Sequence, residues 1–147
     1  ARIHAKIADA RTDALHKVTT MLADENQVLC MEDLNAKGMV RNHHLAKAVS
    51  DASFGEFARL LEYKCAERGR TLVKVDRFYP SSKTCSGCGH RLDALPLSVR
   101  SWDCPSCGVH HDRDVNAAKN ILAEGKRIFS NTEGTAGHAG TVAATVA

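Results

Sequence analysis

Four cysteines in two tight pairs constrain this chain more than any other feature. Cys85-Ser86-Gly87-Cys88 is followed, fifteen residues later, by Cys104-Pro105-Ser106-Cys107. A C-x-x-C turn aims two sulfurs at one point and turns backbone N–H groups toward them. Two such knuckles give tetrahedral four-sulfur coordination, which suits Zn²⁺. Gly87, Gly89 and Gly108 relieve backbone crowding around the knuckles. Four thiolates leave no open coordination position, so the zinc is expected to be structural. Residues 80–111 hold few large apolar side chains, and a module that small cannot build its own core. Zinc binding, on the order of 10–16 kcal/mol in small peptides, is enough to fold it. Two disulfides or four unrelated thiols fit the spacing poorly. His90, His110 and His111 stand near enough to replace a thiolate, an exchange that four sulfurs make unnecessary. Cys30 and Cys65 fall at apolar periodic positions and are expected to be buried thiols.

The rest of the chain reads as α/β. Ile3, Ile7, Ala10, Ala14, Val18, Met21 and Leu22 recur at helical spacing over residues 3–25 and predict one buried stripe. Val28-Leu29-Cys30-Met31 is a short buried strand that ends in Glu32-Asp33. A loop around Gly38 leads to a helix over about 44–68, with Phe54, Phe57, Leu60, Leu61 and Cys65 on its apolar face and Gly69 as its stop. Thr71–Val75 is a second strand, so strand, helix and strand make a parallel βαβ unit. A last helix is expected over Asp112–Lys126, with Val115, Ala118, Ile121 and Leu122 on one side. Asp112 is its cap and Gly125 its end. Residues 128–147 are mostly small, and disorder is expected there.

The net charge is +3 over 147 residues. It is uneven, with eight basic against three acidic residues from Arg59 to Arg91. Such a cluster can attract phosphate backbones, or can be a solvated helix face. Lys83, Arg91 and Arg100 are further candidate nucleic-acid contacts. Trp102 either packs the ribbon or stacks on a base, and packing is the stronger expectation. No apolar run is long enough to cross a membrane. Arg2, His4, Lys6 and Asp9 interrupt any secretory signal, so a cytoplasmic location with reduced thiols is expected. The chain lacks an initiator Met and starts inside a helical pattern, as a piece of a longer protein would.

Five motifs in order carry a family resemblance: Met31-Glu32-Asp33-Leu34-Asn35; Tyr63-Lys64; Ser82-Lys83-Thr84-Cys85-Ser86-Gly87-Cys88-Gly89; Cys104-Pro105-Ser106-Cys107-Gly108; and Asp112-Arg113-Asp114-Val115-Asn116-Ala117-Ala118-Lys119-Asn120-Ile121. Together they resemble the C-terminal part of the OrfB/TnpB family of insertion-sequence proteins, linked to transposition and DNA recombination. They are also similar to the RuvC portion of type V CRISPR effectors. The resemblance covers about residues 3–125.

It implies a partial RNase H-like (RuvC) fold with an inserted four-cysteine zinc ribbon. Residues 1–79 would be partial RuvC, 80–111 the ribbon, 112–127 the last RuvC helix and 128–147 the tail. It implies an RNA-guided DNA endonuclease, with DNA and a guide RNA as partners. The location would be the bacterial or archaeal cytoplasm, at the nucleoid when bound to DNA. Glu32 and Asp114 match two of three carboxylates that hold Mg²⁺, while Asp112 is the helix cap. The family's first carboxylate lies on an earlier strand. Asp9 and Asp13 fall on the first helix and cannot replace it, so the chain alone is expected not to cleave. The alternatives are a non-catalytic zinc-ribbon module that binds DNA, and a structural zinc module that docks another protein. The oligomeric state is left open.

Overall fold

A computed structural model describes residues 2–35 and 53–132, and the backbone of 142–145. The expected loop around Gly38 and residues 44–52 of the expected second helix lie outside the described residues. The elements are α1 (Arg2–Glu25), β1 (Val28–Glu32), α2 (Phe54–Glu67), β2 (Thr71–Val75), β3 (Ser101–Asp103), β4 (His110–Asp112), α3 (Arg113–Thr132) and β5 (Val142–Thr145). They fall into two compact units. One comprises Ala1–Leu29 and Leu34–Leu72; the other comprises Cys30–Asp33 and Val73–Ala147.

In the first unit α1 packs on α2. The sequence predicts that the aliphatic stripe of α1 is buried, and the structure reverses this. Ile3 is 73% exposed and Met21 48%, whereas Thr19 and Ala23 are buried. The reason is Lys64 on α2. Its side chain is buried, and a buried ammonium without acceptors costs far more than a few exposed aliphatics. Helix α1 therefore turns its oxygen-bearing side inward. Lys64 Nζ donates to His16 O (2.5 Å), Thr19 Oγ1 (2.9 Å) and Thr20 Oγ1 (2.7 Å). Arg70 Nε adds a bond to Ala23 O at 3.1 Å. Leu60, Leu61 and Cys65 of α2 are buried, as their spacing predicts. Gly69 follows the helix at φ +61°, a left-handed turn that suits glycine.

Strands β1 and β2 run parallel. Thr71 N donates to Gln27 O (2.9 Å) and Asp33 N to Val75 O (2.8 Å), so residue numbers rise together along both strands. The sheet order is β2-β1-β5. Of the expected disordered tail, residues 133–141 and 146–147 lie outside the described residues, and the rest differs from expectation. Helix α3 runs on to Thr132, and Val142–Thr145 forms a strand beside β1. A composition argument counts only the side-chain area a segment can bury. An added edge strand is held instead by main-chain hydrogen bonds to a strand already in place, and small residues suffice.

Helix α3 also differs from expectation in its buried face. Asn116, Ala117, Asn120, Ile121 and Gly125 are buried, while Val115 is 53% exposed. Gly125 does not end the helix. It lies within it, where a Cβ would collide with Cys30 Sγ and sit 2.6 Å from Cys30 Cβ. Only glycine lets the helix backbone come that close to β1.

Candidate metal centres

The ribbon is built from two matching knuckles. Cys85 N donates to His90 O and Gly89 N to Cys85 O, at 2.8 and 2.9 Å. In the second knuckle Cys104 N donates to Val109 O and Gly108 N to Cys104 O, at 2.9 and 2.8 Å. Gly89 and Gly108 take φ +79° and +71°, so each knuckle closes through a left-handed glycine. Strands β3 and β4 pair antiparallel, with Trp102 opposite His111. Trp102 is 8% exposed and packs with Cys85 and Cys104, flanked by Leu92, Leu95 and Val99. That burial bears out the packing role expected of it.

The ligand atoms of Cys85, Cys88, Cys104 and Cys107 all lie within 4.8 Å of one another. The Cys85–Cys107 sulfurs are 3.7 Å apart and the Cys88–Cys104 sulfurs 3.6 Å. A tetrahedron with Zn–S bonds of about 2.3 Å has an edge of about 3.8 Å, so the cluster is cut to that size. The proton balance of the cluster points the same way. Burial raises the Cys104 thiol, but the backbone N–H groups of Cys107 and Ser106, with the Cys107 and Cys88 sulfurs, outweigh it and hold it down at about 6. The Val109 N–H favours a thiolate at Cys107, yet the Cys88 sulfur, burial and the Cys104 and Cys85 sulfurs push it up to about 12. Four sulfurs at this spacing cannot all ionise without a cation between them.

Two asparagines join the first knuckle to α3. Asn116 Oδ1 accepts from Ser86 N at 2.9 Å. The Asn116 and Asn120 amides both donate to Thr84 O (2.7 and 2.6 Å) and to Ser81 O (3.4 and 2.7 Å). In the sequence these residues stand within a motif, with no role of their own assigned to them. The available signal was two asparagines four positions apart, on one face of a helix otherwise lined by alanine and isoleucine.

The carboxylates take distinct places. Asp112 Oδ1 accepts from Asp114 N (3.0 Å) and Val115 N (2.9 Å), which makes it the cap of α3. Asp114 stays solvent-facing, its side chain 65% exposed and 4.0 Å from Arg100 Nη1. Residues 114, 117, 121 and 125 form one stripe of a helix with about 3.6 residues per turn. Asp114 lies on the same stripe, about three turns before Gly125, the residue that approaches Cys30 of β1. Glu32 ends β1 and is half-buried, and that burial raises its pKa. Both carboxylates belong to the second compact unit. Among the described residues, the four cysteines form the one group of three or more candidate ligands drawn together.

Much of the basic cluster serves the fold. Arg59 bonds Glu56, Arg68 bonds Asp24 and Arg77 bonds Asp33. Lys64, Arg70 and Lys83 bond main-chain oxygens, Lys83 Nζ reaching Asp93 O at 3.1 Å. Arg91 and Arg100 are exposed. No described helix is long and apolar enough to cross a membrane.

Comparison with known proteins gives consistent matches. A family model described as "Cas12f1-like, TNB domain" matches residues 54–121. A protein of Streptomyces pristinaespiralis named "Putative RNA-guided DNA endonuclease" is 54% identical over 125 residues, which cover 85% of this chain and 31% of that protein. The TnpB-like protein L79 of Acanthamoeba polyphaga mimivirus is 31% identical over 130 residues, covering 84% of this chain and 24% of that one. A chain of the cryo-EM Cas12f1–sgRNA–target DNA complex shares the fold. Its TM-score is 0.62 at 23% identity, covering 80% of this chain and 35% of that chain. The present chain therefore spans about a third or less of the length of these relatives.

Proposed function

Because the chain belongs to the OrfB/TnpB family, we propose that it forms the RuvC-like and zinc-ribbon part of an RNA-guided, metal-dependent DNA endonuclease encoded by an insertion sequence. The observation that carries this reading is the close approach of Gly125 to Cys30. It brings the helix whose first turn holds Asp114 close to the strand that ends at Glu32, which supports reading the two carboxylates as parts of one site. Capping by Asp112 leaves the Asp114 carboxylate available, and that division of labour is what a metal ligand at a helix start requires.

Glu32 and Asp114 would hold Mg²⁺, which supplies activated water and charge stabilisation at the leaving oxygen of a phosphodiester. The chain's own residues set the conditions. Burial raises the pKa of Glu32, and a bound cation would favour its ionised form. Arg100 partly screens Asp114 until a stronger cation arrives. The ribbon, fitted for structural Zn²⁺, steadies α3 through Asn116 and Asn120. DNA and a guide RNA are the proposed partners, with Arg91 and Arg100, and with Lys83 more weakly, as phosphate contacts. Cleavage belongs to the complete protein. There a third carboxylate would join Glu32 and Asp114 at the metal.

The test is made in the full-length context. Glu32→Gln and Asp114→Asn should each abolish Mg²⁺-dependent cleavage, about a thousandfold or more, and leave DNA binding within about twofold. Cleavage at the wild-type rate in either variant would remove that residue from the site. Retained binding with no cleavage in the wild type would favour the non-catalytic DNA-binding module.

A further inference from the structure

His111 has no part in the site as described so far, yet it is the buried histidine among the described residues. It is 6% exposed, in the middle of β4, opposite Trp102. Its ring centroid lies 4.7 Å from that of Trp102, with the planes tilted by 41°. This packing fixes where the imidazole edge points. Nε2 lies 3.0 Å from Cys85 Sγ. Cys85 is also buried, and Gly87 N approaches the same sulfur at 3.4 Å.

A four-cysteine zinc centre carries a net charge of −2, and donors to its sulfurs spread that charge and orient the ligands. The other three cysteines and Cys85 already define a tetrahedron, so an imidazole at this position serves better as a donor than as a fifth ligand. The next residue in the chain is Asp112, whose carboxylate caps α3, and Asp114 follows two positions later. One short segment therefore touches the zinc sulfur, the helix cap and the candidate Mg²⁺ ligand in succession.

We propose that His111 is a positioning residue: its Nε2–H donates to the zinc-bound Cys85 sulfur and so ties the first turn of α3, with Asp114, to zinc occupancy. The proposal rests on the reading of the four cysteines as a zinc site. It does not depend on cleavage.

The experiment uses the whole chain loaded with zinc. His111→Phe keeps an aromatic ring against Trp102 and removes the donor, while His111→Gln restores an N–H. Zinc transfer to a chromophoric chelator should be about tenfold faster in His111→Phe and close to wild type in His111→Gln. In the cobalt-substituted protein the sulfur-to-metal charge-transfer band should shift in His111→Phe alone. Hydrogen exchange at the Asp114 and Val115 amides should quicken with zinc removal in the wild type. It should already be faster in zinc-loaded His111→Phe. A wild-type transfer rate and band in His111→Phe would overturn the proposal. So would a cobalt spectrum of three sulfurs and one nitrogen, which would make His111 a ligand. A second measurement needs no variant. With an NMR-active cadmium isotope in the site, metal coupling to the His111 Hε2 proton is expected through the hydrogen bond, and its absence refutes the bond. A wild-type chain that takes up no zinc would instead sink the zinc reading itself.

Discussion

The four-cysteine ribbon and the α1–α2 pair are built by different means. The ribbon's buried cluster is Cys85, Trp102 and Cys104, and two of those three side chains are candidate metal ligands. With zinc bound as proposed, its order would rest more on coordination than on apolar area. The helix pair buries Leu60, Leu61 and Cys65, yet the choice of which side of α1 faces inward falls to one ammonium and three oxygens. In both regions a few polar atoms with strict geometry select the arrangement.

The largest expected effect separates the two regions. Stripping the metal with a chelator should cost the ribbon on the order of 10 kcal/mol. Trp102 is the single tryptophan, so its near-UV signal should collapse while most of the far-UV helical signal stays. Simultaneous loss of both signals would break the comparison. Lys64→Ala comes next. It leaves two threonine hydroxyls and a carbonyl facing a void, and a loss of about 2–3 kcal/mol in urea unfolding is expected. Zinc affinity should not change. An equal fall in zinc affinity would show that the regions are not energetically separate.

Glu32→Gln gives the smallest effect. Burial raises the folded pKa of Glu32 above its unfolded value. The folded state then holds that proton more tightly. Stability contributed by the protonated form is present at acid pH and is lost as pH rises from the ordinary carboxylate range through the raised value. Glutamine stays neutral throughout. The variant should match wild type in acid and exceed it at neutral pH, by no more than about 1 kcal/mol because the side chain is half-exposed. Thermal unfolding at both pH values checks this, and a less stable variant at neutral pH would contradict the burial argument.

Legibility from sequence followed the range of each interaction. The cysteine knuckles and the Asp112 cap depend on residues within a few positions of each other, and they were readable. The β1–α2–β2 unit was readable too, since strand length and β-branched content mark strands locally. Gly125 was misread as a stop, because its true constraint is Cys30, a residue far away in sequence. The stripe on α1 was assigned to the wrong face for a similar reason. Periodicity says that a helix has two faces, and it cannot know that a lysine from another helix needs oxygen acceptors.

The candidate metal ligands were legible in the chain, since spacing fixes the reach of two sulfurs in one turn and thiolate chemistry suits a cation such as Zn²⁺. Tertiary structure alone decided which polar atoms are shared across distant segments. Asn116 and Asn120 hold carbonyls more than thirty residues away, and His111 finds a sulfur twenty-six positions before it. Hydrogen bonds need angstrom-scale placement, and for residues so far apart that placement exists only once the whole chain has folded around them.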